Sequence, residues 1–307
     1  MKAVTDARPT RKLAAILGAI FLCASAGAQL VFTTNFTGGD STQQNSVTTA
    51  LNSLATNFTS SITLKVDVTI SDLGNSSTLG TGGPTAFQLN SGLYYAQPLF
   101  NLVTSTDLSG STASLSIGMN VNAGITWFYG TGNPSAGQFS WQSVVMHEAL
   151  HAMGFFDGIA DGTGALANPG YTIFDSFTIN TADANALFTS YTTDGQRLTA
   201  ITSNALFWNG ANGKAANGGA AVKLYAPGTF ESGSTYSHID PSLTGVGGLL
   251  FPALSDGVGF SGPTAVELGI MQDMGWGVAA IPEPATVVLI AGLGGLAFVL
   301  VRRRLAA

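Results

Sequence analysis

The 307-residue sequence predicts an α+β fold, with a twisted sheet and one functional helix in an N-terminal lobe and a loop-rich C-terminal lobe. Three observations carry that expectation. Ile62 to Ile70 alternates apolar and polar residues without a break, the period of a half-buried strand. Leu115, Ile117, Met119 and Val121 repeat the alternation further on. Trp141 to Met153 contains no helix breaker and ends at Gly154, a residue that tolerates the positive φ of a helix terminus.

The elements follow in chain order. Leu30-Val31-Phe32 opens a strand and leads into a polar turn region. Leu51, Leu54, Ala55 and Phe58 lie at helical spacing, which predicts one amphipathic helix over 47–58. After the 62–70 strand, residues 73–84 read as a Gly/Ser/Thr loop and Tyr94 to Val103 as a short helix. The 115–121 strand precedes a third, Ile125 to Tyr129, and a Gly/Pro-rich loop then enters the 141–154 helix. Beyond it Gly and Asn are scattered from 158 to 220 among short apolar runs. Ala265 to Trp276 is expected to close the domain as a helix, with Leu268, Met271 and Met274 apolar.

Composition narrows the function. Only 9% of the residues are charged. Between residues 29 and 281 there are four basic residues against fifteen acidic ones, a net of −11. So acidic a body lacks the basic footprint that nucleic-acid binding requires. The N-terminus has the three parts of a secretory signal over residues 1–28: Lys2, Arg8, Arg11 and Lys12, an apolar run from Leu13 to Ala24, and Ala26-Gly27-Ala28 before the cleavage point. The single cysteine, Cys23, falls inside that signal, so the mature chain is expected to have no thiol and no disulfide.

At the other end, Pro282-Glu283-Pro284 is followed by an apolar run over 285–301 and by Arg302, Arg303 and Arg304. That order predicts a short transmembrane segment with a basic cytoplasmic stop. It resembles the PEP-CTERM sorting signal of Gram-negative bacteria. The resemblance implies an exosortase-type processing enzyme as a partner. It also implies transient anchoring to the inner membrane and delivery to the cell surface or the extracellular space. The chain thus divides into the signal, a domain over 29–281 with lobes of about 29–154 and 155–277, and the tail over 282–307.

The chemistry concentrates in His147-Glu148-Ala149-Leu150-His151. Residues four apart share a helix face, so His147 and His151 can direct two imidazoles at one metal ion. Glu148 falls beside that face, where its carboxylate can take a proton from water that the metal activates. HExxH is the pattern of zinc hydrolases, and a catalytic zinc takes three protein ligands. Two residues compete for the third place. Asp157 completes an HExxHxxGxxD spacing, and His238 is the only other histidine in the chain. We favour His238, which leaves Asp157 as a carboxylate that orients a ligand or its loop.

These residues resemble the metzincin clan of zinc metalloproteases. His147-Glu148-x-x-His151-x-x-Gly154 followed by Phe155 is most similar to its leishmanolysin-like branch. The resemblance covers most of residues 30–277, and Asp273-Met274-Gly275-Trp276 belongs to it. It implies a metzincin-like fold, a long insertion (here 155–237) before the third ligand, and a hydrophobic Met-turn beneath the metal. Leu249-Leu250-Phe251-Pro252 stands in that last place, with Leu250 where the family has methionine. The expected function is an exported zinc endopeptidase in which Zn²⁺ is held by His147, His151 and His238, Glu148 is the catalytic base, and the substrate is a protein or peptide. The alternative is a zinc-stabilised surface or matrix protein without turnover, for which an intact Glu148 would have no use.

Overall fold

The alternating stretch at 62–70 forms the centre of the sheet. In the computed structural model, which describes residues 28–60, 62–243 and 248–279, the first half contains β1 (Val31–Gly38), α1 (Ser41–Ala55), β2 (Phe58–Thr59), β3 (Thr63–Ser71), β4 (Gly80–Pro84), β5 (Phe87–Asn90), β6 (Leu93–Ala96), α2 (Gln97–Thr104), β7 (Leu115–Asn120), β8 (Trp127–Phe128), β9 (Phe139–Ser140) and α3 (Trp141–Ala152). The principal sheet has the order β1-β3-β7-β4. β1, β3 and β7 are parallel, with Val31 opposite Thr63 and Val66 opposite Leu115. β4 runs antiparallel to β7 and forms the sheet edge. Leu64, Val66, Val68 and Ile70 of β3 are buried, as are Leu115, Ile117 and Met119 of β7. Period-two alternation thus became one buried face of a mixed sheet.

α1 begins six residues earlier than its apolar spacing suggested. Asp40 caps it: its side chain accepts from the Gln43 backbone at 2.9 Å, and the Gln43 side chain accepts from the Asp40 backbone at 2.9 Å. That reciprocal box satisfies two orphan N–H groups and sets the start ahead of the first buried apolar residue. Other boundaries shifted for similar local reasons. Leu93–Ala96 is a strand, and the helix expected from Tyr94 starts only at Gln97, with Pro98 in its first turn. The strand expected over 125–129 is confined to Trp127 and Phe128, which pair with β9.

One assignment was wrong in kind. The last five residues of the expected 73–84 loop are strand β4, with the sequence Gly-Thr-Gly-Gly-Pro. Glycine and proline are depleted in strands, so propensity pointed away from it. The packing explains the composition. A Cβ on Gly82 would lie 2.2 Å from the backbone oxygen of Glu148, so strand and helix touch backbone to backbone at the HExxH motif.

The second half is loop-rich, as expected, and holds β10 (Thr178–Asn180), β11 (Ala186–Leu187), α4 (Asp194–Ile201), β12 (Leu206–Trp208), α5 (Ala211–Ala216), β13 (Val222–Lys223), α6 (Ala265–Met274) and β14 (Gly277–Val278). Four of its strands form an antiparallel sheet in the order β11-β10-β12-β13. With two or three residues each, none is long enough to display a period. One buried apolar cluster runs through both halves, from Leu51, Val68 and Leu150 to Phe174, Trp208, Leu250 and Trp276. Trp276 Nε1 also donates to the Met153 carbonyl at 3.1 Å, joining the segment after α6 to the end of α3.

No helix among the described residues is long and apolar enough to cross a membrane. The expected tail over 282–307, with its span at 285–301, lies outside the described residues, as do residues 1–27 of the expected signal.

Candidate metal centre

α3 is buried almost all round, which places its polar residues inside the protein. It starts at Ser140, whose hydroxyl accepts from the Ser143 N–H at 3.2 Å. It ends in a Schellman arrangement: Phe155 N–H donates to Leu150 O at 3.1 Å and Gly154 N–H to His151 O at 2.9 Å. Gly154 has φ of +120°, which only glycine adopts without strain. The motif turns the chain so that the Phe155 carbonyl faces back onto the His151 ring, where it meets Nδ1 at 2.8 Å. The helix terminator therefore also orients a site residue.

His238 arrives from the second half along a defined route. The chain beyond β13 lies antiparallel to residues 236–240, with Tyr225 N–H donating to His238 O at 2.8 Å and Tyr236 N–H to Tyr225 O at 2.7 Å. Asp240 N–H donates to Lys223 O at 3.0 Å, and the two side chains form an ion pair at 3.1 Å. His238 is thus carried on a bend held beside the small sheet by a single bridge, Leu224 to Ile239.

The three histidines converge. The Nε2 atoms of His147 and His151 are 3.1 Å apart, those of His151 and His238 3.2 Å, and those of His238 and His147 3.4 Å. Each Nδ1 faces a backbone carbonyl: Leu249 for His147, Phe155 for His151, and Ser234 at 2.9 Å for His238. A carbonyl only accepts, so each ring carries its proton on Nδ1 and turns an Nε2 lone pair toward the common point. Three lone pairs at this spacing repel unless a cation lies between them. Imidazole nitrogens bound at about 2.0–2.1 Å around a tetrahedral ion would be about 3.3 Å from one another, so the residues present fit a metal. Among the described residues these three histidines are the cluster able to hold one.

Burial reinforces this state. It holds the His147 and His151 pKa values below the usual imidazole range, His151 well below, and the neighbouring histidines lower His151 further. His238 is pushed down to about 3, first by burial and then by His147. Neutral rings leave the lone pairs free for a metal at neutral pH.

Glu148 and Asp157 also line the cleft of about 780 Å³ in which the histidines lie. Burial pushes the Glu148 carboxyl up to about 8. A divalent cation nearby would favour its ionised form. Asp157 stands outside the histidine cluster. Its carboxylate accepts from Ile159 N–H at 2.7 Å, bracing the loop after α3. Burial, and then Asp175, push it up to about 8. Because that value lies above the ordinary 3.8, the folded chain holds an extra proton between about pH 4 and 8 and loses stability as pH rises through the window. Asp157→Asn should therefore flatten the decline of Tm from pH 6 to 8 in the metal-free chain, the rest of the slope coming from Glu148, Asp175 and Glu267, whose carboxyls burial also raises. An unchanged slope in differential scanning fluorimetry would show that Asp157 is ionised throughout.

Two features of the site carried no sequence signal. The orienting carbonyls of Leu249, Phe155 and Ser234 are backbone atoms common to every residue type. The rim strand β4 was hidden by its glycines. Leu250 is fully buried, and its neighbour Leu249 contacts His147 directly. Tyr236 packs between Phe174 and Phe188 in the core and is no part of the cleft.

A family model for the PEP-CTERM protein-sorting motif matches residues 280–304. Comparison with curated proteins gave no match, and comparison with solved structures gave none. The chain thus joins a buried three-histidine cluster able to hold a metal ion to a C-terminal signal for secretion through exosortase-type processing.

Proposed function

We propose that the chain is an exported zinc-dependent endopeptidase acting at the cell surface or outside a Gram-negative cell. The observation that carries this reading is the convergence of three Nε2 lone pairs in one cleft with the carboxyl of Glu148. Three neutral imidazoles suit zinc and leave a position open for reactants. When bound, zinc would polarise a scissile carbonyl and bring the pKa of a water molecule toward neutrality. Glu148 would take the proton of that water and later pass it to the leaving amine.

The sheet edge supports a peptide as substrate. Among the described residues β4 pairs with β7 on one side only, and Gly80, Thr81 and Gly82 line the cleft. An unpaired edge can accept an extended chain through main-chain hydrogen bonds, laying it across the histidines. The likeness of the HExxH segment to metzincins agrees with this reading.

The test joins metal content to hydrolysis. The purified full chain should contain about one zinc, digest casein, lose that activity with a chelator and regain it with zinc. Zinc bound without digestion would favour the structural alternative. A chain without zinc would end both readings.

A further inference from the structure

We infer that Glu267 is a positioning residue for the metal centre, acting through the Leu249-Leu250 turn. The inference rests on the histidine cluster being a metal site. Glu267 is the third residue of α6 and is fully buried. Its Oε2 accepts from the Thr264 N–H at 2.7 Å, while the Thr264 hydroxyl accepts from the Glu267 N–H at 3.3 Å, completing a capping box. Capping uses one carboxylate oxygen. The other, Oε1, accepts from the Leu250 N–H at 2.6 Å.

The turn held in this way touches two of the three histidine segments. The Leu249 carbonyl accepts from His147 Nδ1, and the Leu250 carbonyl accepts from the N–H of Ile239, next to His238, at 2.8 Å. One buried carboxylate therefore fixes a two-residue turn that sets the His147 ring and one side of the segment bearing His238. The turn is fitted to that carboxylate: a Cβ on Gly248 would lie 2.3 Å from Glu267 Oε1. An aliphatic residue at 267 would leave the Leu250 N–H buried and unpaired. A glutamine offers one acceptor oxygen where two N–H groups need one each.

Zinc dissociation constants of the full chain, purified in detergent and measured by competition with a chromophoric chelator, test this. Glu267→Gln should weaken zinc binding by about 10–100-fold, the usual effect of losing a partner that orients a ligand. Thr264→Ala is the control. It removes the hydroxyl half of the same cap but leaves both carboxylate contacts, so it should lower Tm with little change in affinity. Wild-type affinity in Glu267→Gln would overturn the inference. So would an equal loss in Thr264→Ala at matched Tm, since the effect would then be general destabilisation. If Glu267→Gln does not fold, Glu267→Asp, which withdraws the carboxylate from the turn, is read by the same criteria. A wild-type chain that binds no zinc would instead defeat the metal-centre reading itself.

Discussion

Glu148→Gln should retain zinc and the wild-type fold while lowering kcat/KM on a casein-type substrate by at least about 10²–10⁴-fold, the contribution of a positioned general base. The amide keeps the shape of the carboxyl and cannot accept the water's proton. The fold should tolerate the change, because burial already favours the neutral form of Glu148, pushing its pKa up to about 8. In the loaded protein the cation must reverse that preference, so wild-type activity should rise with pH as the carboxyl ionises. Kinetics and zinc content are read on the same preparation. An unchanged rate would place the base elsewhere. Loss of zinc with activity would make Glu148 a structural element.

His238→Ala should weaken zinc binding by orders of magnitude, because two imidazoles from one helix turn leave the ion without its third protein ligand. Asp157→Asn should cost at most about 10–100-fold. The difference is geometric. His238 Nε2 lies 3.2 and 3.4 Å from the other two donor atoms, whereas Asp157 is outside the cluster and binds the Ile159 N–H. Metal analysis of the two variants decides between them. Zinc lost on changing Asp157 and kept on changing His238 would reverse the assignment.

How much of this was legible varied with the kind of signal. α3 was readable because its side chains state their own geometry: two histidines four apart, a glutamate between them, and a glycine at the end. β3 and β7 were readable because six to nine residues suffice for an alternation. β10 to β13 were not, since two or three residues carry no period and the strands owe their pairing to distant partners. β4 ran against propensity because close approach to α3 demanded glycine. His238 could be favoured from scarcity alone, the chain having three histidines, but its route along Tyr225 is a long-range pairing that local sequence does not encode. Glu267 had half a signal: Thr264-x-x-Glu267 announces a helix cap, while its second bond, to Leu250, depends on the tertiary fold.

Each of the three histidines is oriented by a main-chain carbonyl, those of Leu249, Phe155 and Ser234. No point substitution at those positions can delete such an acceptor, since every amino acid brings the same carbonyl. An alanine scan of the three would leave the acceptors in place, so the cost of Leu249→Ala and Phe155→Ala would be that of core packing, both side chains being fully buried. The vulnerable positions are those that set where the main chain runs, such as Gly154. At these three positions the orientation of the rings should therefore depend on the backbone path rather than on side-chain chemistry.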